Sequence, residues 1–99
     1  MKFTPLFTEH SKSDYTGLDG CQKKQILKSL TKIKNNGMNT GQPLHGKLWE
    51  CRKLKHKKLG LRVIFRQSEQ GIEIIEIITV GKREDDEAYK VAAERLGRD

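Results

Sequence analysis

Cysteine, proline and aromatic residues are scarce in this chain: of its 99 residues two are cysteine, two proline, one tryptophan, two tyrosine and three phenylalanine. Two cysteines are too few for a disulfide scaffold, and the spacing of Cys21 and Cys51 is not that of a metal site, so both read as buried or half-buried thiols. No apolar run approaches the roughly 20 residues of a membrane span, and the N-terminus lacks the apolar stretch of a signal peptide. A cytoplasmic location is therefore expected. The chain shows no internal repeat, no low-complexity segment and no metal-ligating cluster, so no cofactor is expected. With 34% hydrophobic and 33% charged residues, residues 1–99 suit one soluble domain with a single modest core.

Positive charge, by contrast, is abundant and unevenly placed. Residues 1–44 hold seven lysines and three acids, residues 45–66 hold eight Lys or Arg and one acid, and residues 67–99 hold five Lys or Arg and nine acids. The three segments carry +4, +7 and −4, so the middle one has an excess equal to the net charge of the whole chain, +7. Such an excess attracts phosphate backbones through counterion release, which makes nucleic acid the first partner to consider.

The middle segment, residues 48–66, reads as a basic β-hairpin. Apolar and cationic residues alternate along both arms, the pattern of strands with one buried and one solvated face. Lys57, Lys58, Leu59 and Gly60 form the loop, with Gly60 able to supply a positive φ. Pairing His56 with Leu61 sets Lys55 against Arg62 and Leu54 against Val63. One face then gathers Leu54, Leu61, Val63 and Phe65, and the other gathers Lys53, Lys55, Arg62 and Arg66. A slip of one residue would mix the two sets, so the pattern fixes the register. The open face is a cationic platform.

Around the hairpin the chain reads in order. Residues 2–7 form a strand that Pro5 confines to an edge or a strand end. Thr8 caps a short helix over residues 9–16, and Asp19 with Gln22 forms a capping box for a second, extending to about Asn35, whose stripe Ile26, Leu27, Leu30 and Ile33 packs on the sheet. Gly37 ends it, and residues 38–46 are a loop rich in Gly and Asn. Residues 72–80 are the most apolar run and read as a central strand of undecided facing, because Ile74 and Ile78 have one parity and Ile75 and Ile77 the other. Asp85, Asp86 and Glu87 then favour the N-terminus of a last helix, which carries Tyr89, Ala92, Ala93 and Leu96 along one side. The order is β-α-α-β-β-β-α: an α+β domain with a largely antiparallel twisted sheet and helices packed on one face.

The segment KLKHKKLGLRVIF, followed by an isoleucine-rich strand, ITVGKRED and a helix opening with AYKVAAERL, closely resembles the RelE-type toxins of the RelE/ParE superfamily. The resemblance covers the whole chain in element order and is most specific over residues 44–96. It implies the toxin of a type II toxin–antitoxin pair, a ribosome-dependent endoribonuclease that cuts mRNA in the A site. The implied partners are a cognate antitoxin, the ribosome with its mRNA, and operator DNA only through the antitoxin complex, with no membrane. The family's active-site lysines fall on Lys53 and Lys55, its arginines on Arg62 and Arg83, and its tyrosine on Tyr89. Lys47, Arg52, Lys57, Lys58, Arg66 and Lys82 are expected to contact RNA around them. The chain departs from relatives that use a Glu/His pair, since its strand-end position holds Arg83. It keeps the set that gyrase-poisoning members generally lack. The alternatives are a non-catalytic gyrase inhibitor and a module that only binds an antitoxin as co-repressor.

The residue types fit metal-independent RNA cleavage by the 2′-hydroxyl, which needs a base, a charge stabiliser and an acid for the departing 5′-oxygen. A lysine at about 10.4 is too weakly dissociated to serve as a base, but like charges crowded on one face lower that value. Lys55 is thus the candidate base or the closest contact to the 2′-hydroxyl, and Lys53 and Arg62 hold the phosphate, Arg62 with a two-pronged donor. Arg83 stabilises the phosphorane and helps protonate the leaving oxygen, unless it pairs with Asp85, Asp86 or Glu87. For Tyr89, substrate orientation, base stacking, proton transfer and plain packing all stay open. Trp49 shares the parity of Lys53 and Lys55, leaving base stacking and edge packing equally open. His10, His45 and His56 lie in three separate segments and read as structural.

Overall fold

A computed structural model describes residues 2–82 and 84–98 of the chain. Its elements in order are β1 (Thr4–Phe7), α1 (Glu9–Thr16), α2 (Gly20–Asn36), β2 (Gln42–Pro43), β3 (Cys51–His56), β4 (Leu61–Gln67), β5 (Ile74–Gly81) and α3 (Asp85–Arg95). Short 3₁₀ turns at Gly37–Asn39 and Gly46–Leu48 flank β2. The five strands form one sheet in the order β1-β5-β4-β3-β2, with β1 parallel to β5 and the other pairs antiparallel. The two-residue β2 is an addition to the expected order. Pro43 sits in it without cost to the ladder because β2 is an edge. No helix among the described residues is long and apolar enough to cross a membrane.

Local chemistry starts the first two helices where the sequence places them. Thr8 and Ser11 exchange side-chain-to-backbone bonds of 3.1 and 2.9 Å at the head of α1, and Asp19 and Gln22 do the same at 2.8 and 3.2 Å for α2. Ile26 and Ile33 of α2 are fully buried, but Leu27 is 51% exposed and Ser29 takes the inward position instead. The difference is one of helical angle: Ser29 lies three residues from Ile26 and four from Ile33, closer to their stripe than Leu27.

The hairpin pairs as expected, His56 with Leu61, Lys55 with Arg62 and Leu54 with Val63. Its first arm, however, begins at Cys51. The chain before it holds the 3₁₀ turn Gly46–Leu48, capped by Trp49, which is 73% exposed, so the parity that linked Trp49 to Lys53 does not apply.

The helices do not share one face of the sheet. Leu61, Val63, Phe65, Ile75, Ile77 and Val80 pack under Ile26 and Ile33 of α2. On the opposite, cationic face, Cys51, Ile64 and Ile78 form a second core with Leu44 and Leu48 beneath Ala88, Ala92 and Ala93 of α3. Two features account for it. Cys51 and Ile64 interrupt the cationic face with apolar surface that needs cover, and the three alanines let α3 lie close. A bulge where Ile64 pairs with Thr79 and Phe65 with Ile77 leaves Ile78 as the extra residue, so Ile77 and Ile78 are both buried, on opposite sides. That answers the parity question for β5. The platform is therefore roofed, not open.

Gly41 joins the loop to β2 at φ +74°, where a Cβ would run into the backbone carbonyl of Lys53. Gly41→Ala is expected to lower stability by about 2–3 kcal/mol, read as a shift of the urea midpoint, by straining the backbone and prising β2 off β3.

Candidate functional site

α3 enters the roofed face at its N-terminal end and brings two side chains one turn apart, Asp85 and Tyr89, over the two strands that carry the cations. Lys53 of β3 donates from Nζ to the Tyr89 hydroxyl at 2.9 Å and to Asp85 Oδ2 at 3.2 Å, and its ammonium lies 5.5 Å from the Tyr89 ring centroid. Arg62 of β4 donates from Nε to Asp85 Oδ1 and from a terminal nitrogen to the Gly60 carbonyl at 3.1 Å. Lys53 and Arg62 are each only 9% exposed. Cations that deep require partners, and the Asp85 carboxylate serves both.

Lys55, the cross-strand partner of Arg62, stays exposed. Arg83 lies outside the described residues. Of the flanking candidates, Lys47, Lys57, Lys58 and Lys82 are exposed. Arg52 and Arg66 are committed elsewhere. Arg52 shares the parity of Leu54, away from the platform, and holds the Thr40 and Gly41 carbonyls at 2.8 and 2.7 Å. Arg66 is on the platform side but pairs with Glu76 at 3.1 Å and Glu50 at 3.4 Å.

Beside Lys53 and Tyr89 opens a cleft of about 620 Å³ between α3 and the 42–48 segment, walled by Pro43, Leu44, Leu48 and Ala93 and rimmed by Lys47 and Lys90. Sequence reasoning missed Lys90 and this cleft, because the 42–48 segment shows no periodicity that places it against α3. It also missed Asp85 as the partner of both cations. The i, i+4 spacing of Asp85 and Tyr89 was the available signal.

The electrostatics follow from these contacts. The hydrogen bond to Tyr89 raises the pKa of Lys53; burial works against this, and the hydrogen bond and charge of Asp85 reinforce the rise. Crowding by like charges does not lower it, contrary to the expectation for this face, since Asp85 compensates. For Asp85 itself burial pushes upward, but hydrogen bonds and charge from Arg62 and Lys53 prevail and hold it below the usual carboxylate value. A depressed carboxylate stabilises the fold above its unfolded pKa and loses that contribution as pH falls through the folded one. The docking of the first turn of α3 is thus expected to weaken below about pH 4. Asp85→Asn should flatten the acid side of the stability profile, measured as urea midpoint against pH. The Cys51 thiol, pushed up to about 11 chiefly by burial, stays neutral and inert at neutral pH. Cys21 is exposed on α2 and not half-buried, and both cysteines are free.

The far end of α3 is held by two further ion pairs. Arg95 grips Asp14 of α1 at 2.7 and 3.0 Å and also reaches the Ile78 carbonyl at 2.9 Å, while Asp14 accepts from the Val80 amide at 3.2 Å. Arg98 pairs with Glu50 and donates to the Lys47 carbonyl at 3.1 Å.

No family model matches the chain. Among curated proteins it is 29% identical over 96 residues to a putative RelE-like toxin protein of Escherichia coli, covering 97% of this chain and 99% of the relative. It is 26% identical over 90 residues to the mRNA interferase toxin RelE of E. coli K12, covering 91% and 93%. Among solved structures, a mutant of the E. coli toxin RelE in the free state superposes with a TM-score of 0.78 at 24% identity, covering 97% of this chain and 99% of that one. The same mutant in complex with an antitoxin RelB peptide gives 0.69 at 23% identity, covering 93% and 95%.

Proposed function

We propose that this chain, RelE-type in its relatives and in its fold, is the toxin of a type II toxin–antitoxin pair and an endoribonuclease that cuts mRNA in the ribosomal A site, so stopping translation. The observation that carries the reading is the convergence of two nearly buried cations, Lys53 and Arg62, with the Tyr89 hydroxyl at one point of a basic face. Here Asp85 bridges both cations, and a pair of cations that can hold two oxygens of one anion suits a phosphodiester.

In the proposed reaction the 2′-oxygen forms a bond to the adjacent phosphorus while the bond to the 5′-oxygen breaks. The upstream product carries a 2′,3′-cyclic phosphate and the downstream product a 5′-hydroxyl. Lys53, whose raised pKa keeps it charged at neutral pH, holds a non-bridging oxygen and does not serve as base. Arg62 holds the second oxygen. Lys55, exposed beside Arg62, takes the 2′-hydroxyl proton or contacts that hydroxyl most closely. Arg83 stabilises the phosphorane and supplies the proton to the 5′-oxygen. Tyr89, fixed by its bond to Lys53, orients the nucleotide. The site lacks a strong base and acid, so positioning by the ribosome contributes several kcal/mol of the barrier reduction, and free RNA is cut slowly.

End-group analysis of the cut RNA tests the chemistry. Cyclic phosphate and 5′-hydroxyl ends are expected, with cutting blocked by a 2′-deoxy sugar at the reacting position. Ends bearing a 5′-phosphate would refute it.

A cognate antitoxin is the proposed protein partner, and operator DNA is reached through the complex of the two. Because Lys53 and Arg62 are buried under α3, the antitoxin's acidic segment meets the exposed Lys55, Lys57 and Lys58 instead. Reversing those three charges is expected to weaken the complex by about tenfold or more at low salt, read by titration calorimetry. Unchanged affinity would remove the electrostatic contact from the account.

A further inference from the structure

The seat assigned above to the scissile phosphate is already filled. Asp85 presents two oxygens on one carbon to Lys53 and Arg62, much as a phosphodiester presents its two non-bridging oxygens, and both cations answer it, Lys53 at 3.2 Å and Arg62 through Nε. The cations are nearly buried, whereas the Asp85 side chain is 40% exposed, so Asp85 is the member of the cluster most open to exchange with solvent. A phosphate that engages both cations at once competes with Asp85 for them.

We infer that Asp85 is a built-in competitor for the RNA phosphate: it keeps the seat between Lys53 and Arg62 filled in the free protein and swings out when a phosphodiester enters. The inference deepens the proposed function and rests on its assignment of Lys53 and Arg62 as phosphate holders.

The way α3 is tethered permits the exchange. Its N-cap residue, Glu84, makes no side-chain capping bond, so the Asp85 contacts and the Tyr89 hydroxyl bond tie the first turns to the sheet. Its far end is pinned by Arg95 on Asp14 and by Arg98 on Glu50, independently of the seat. Releasing Asp85 therefore loosens one turn without undocking the helix. Asp85 is ionised at neutral pH, so the exchange replaces one anion by another.

Inorganic phosphate is the probe, titrated into the wild type, Asp85→Asn and Asp86→Asn by calorimetry and by thermal melting. Asp86 is exposed beside Asp85, and its neutralisation changes the net charge equally without touching the seat. Asp85→Asn is expected to bind phosphate about tenfold tighter or more, the inverse of the fraction of time the wild-type seat stands open, with Asp86→Asn within about twofold of wild type. Phosphate should also raise the melting temperature of Asp85→Asn far more than chloride of equal ionic strength does. Should that variant fold only with added anion, rescue by phosphate but not by chloride supports the inference, and rescue by both or by neither overturns it. Equal gains in the two variants, or weaker binding by Asp85→Asn, also overturn it. The readout involves no cleavage. A wild type that cuts no RNA, with the phosphate gain present, sinks the proposed activity alone, and a cutting wild type without the gain sinks this inference alone.

Discussion

Arg62→Ala is expected to lower ribosome-dependent mRNA cleavage by about two to three orders of magnitude in single-turnover rate, the effect of removing one preorganised donor aimed at developing phosphorane charge. The fold should tolerate the change. Asp85 keeps Lys53 as partner, and a loss of about 1–2 kcal/mol is expected for the hydrogen bonds to Asp85 and to the Gly60 carbonyl. A urea melt on the same preparation separates the two effects. Arg62→Lys restores the charge but not the planar fork, so it should recover only a small part of the rate. A cleavage rate within a few-fold of wild type for the alanine variant would move the phosphate contact off β4.

Asp14→Ala is expected to destabilise the chain by about 3–5 kcal/mol, a large share of the roughly 5–15 kcal/mol that holds a small domain together. Side-chain exposure is 9% for Asp14 and 16% for Arg95. Removing the carboxylate leaves the guanidinium without its counter-charge and the Val80 amide without its side-chain acceptor. The cost comes from what is stranded and not from the worth of the pair, so the double variant Asp14→Ala with Arg95→Met should be milder than the single one. Equal losses in urea unfolding would mean that Arg95 finds another partner or solvent. Since this pair anchors the end of α3 away from the site, Asp14→Ala should also reduce cleavage wherever the helix is partly undocked.

The hairpin register, the Thr8 cap and the Asp19–Gln22 capping box are legible in the sequence because each depends on residues within a few positions of one another, whereas the return bond from Ser11 to Thr8 was not foreseen. Alternation on either side of Gly60 admits one pairing, and an Asp followed three residues later by Gln ahead of an apolar stripe marks a helix start. Family resemblance pointed to RelE-type toxins; curated relatives 29% and 26% identical carry that name, and a solved RelE toxin shares the fold. The side of the sheet taken by α3 was not legible. It depends on Cys51, Ile64 and Ile78 forming a second core, and Ile78 joins them only through a bulge that local patterning does not signal. Four long-range ion pairs were equally hidden: Asp85 with Lys53 and with Arg62, Asp14 with Arg95, and Glu50 with Arg98. A charge in a sequence declares its sign but not its partner, and these partners lie 23 to 81 residues apart. Reading the cations as an open platform followed from that blindness. The structure shows two of those cations, Lys53 and Arg62, nearly buried and bridged by Asp85, while Lys55 stays exposed.

Primer extension on an mRNA in purified translating ribosomes, with the same RNA free of ribosomes as control, tests the central claim most directly. The account expects cuts within A-site codons from the wild type, little cutting of the free RNA, and loss of the cuts in Arg62→Ala and Lys53→Ala. A folded wild type that leaves the mRNA intact on the ribosome would contradict it and turn attention to gyrase inhibition or to a purely co-repressing role.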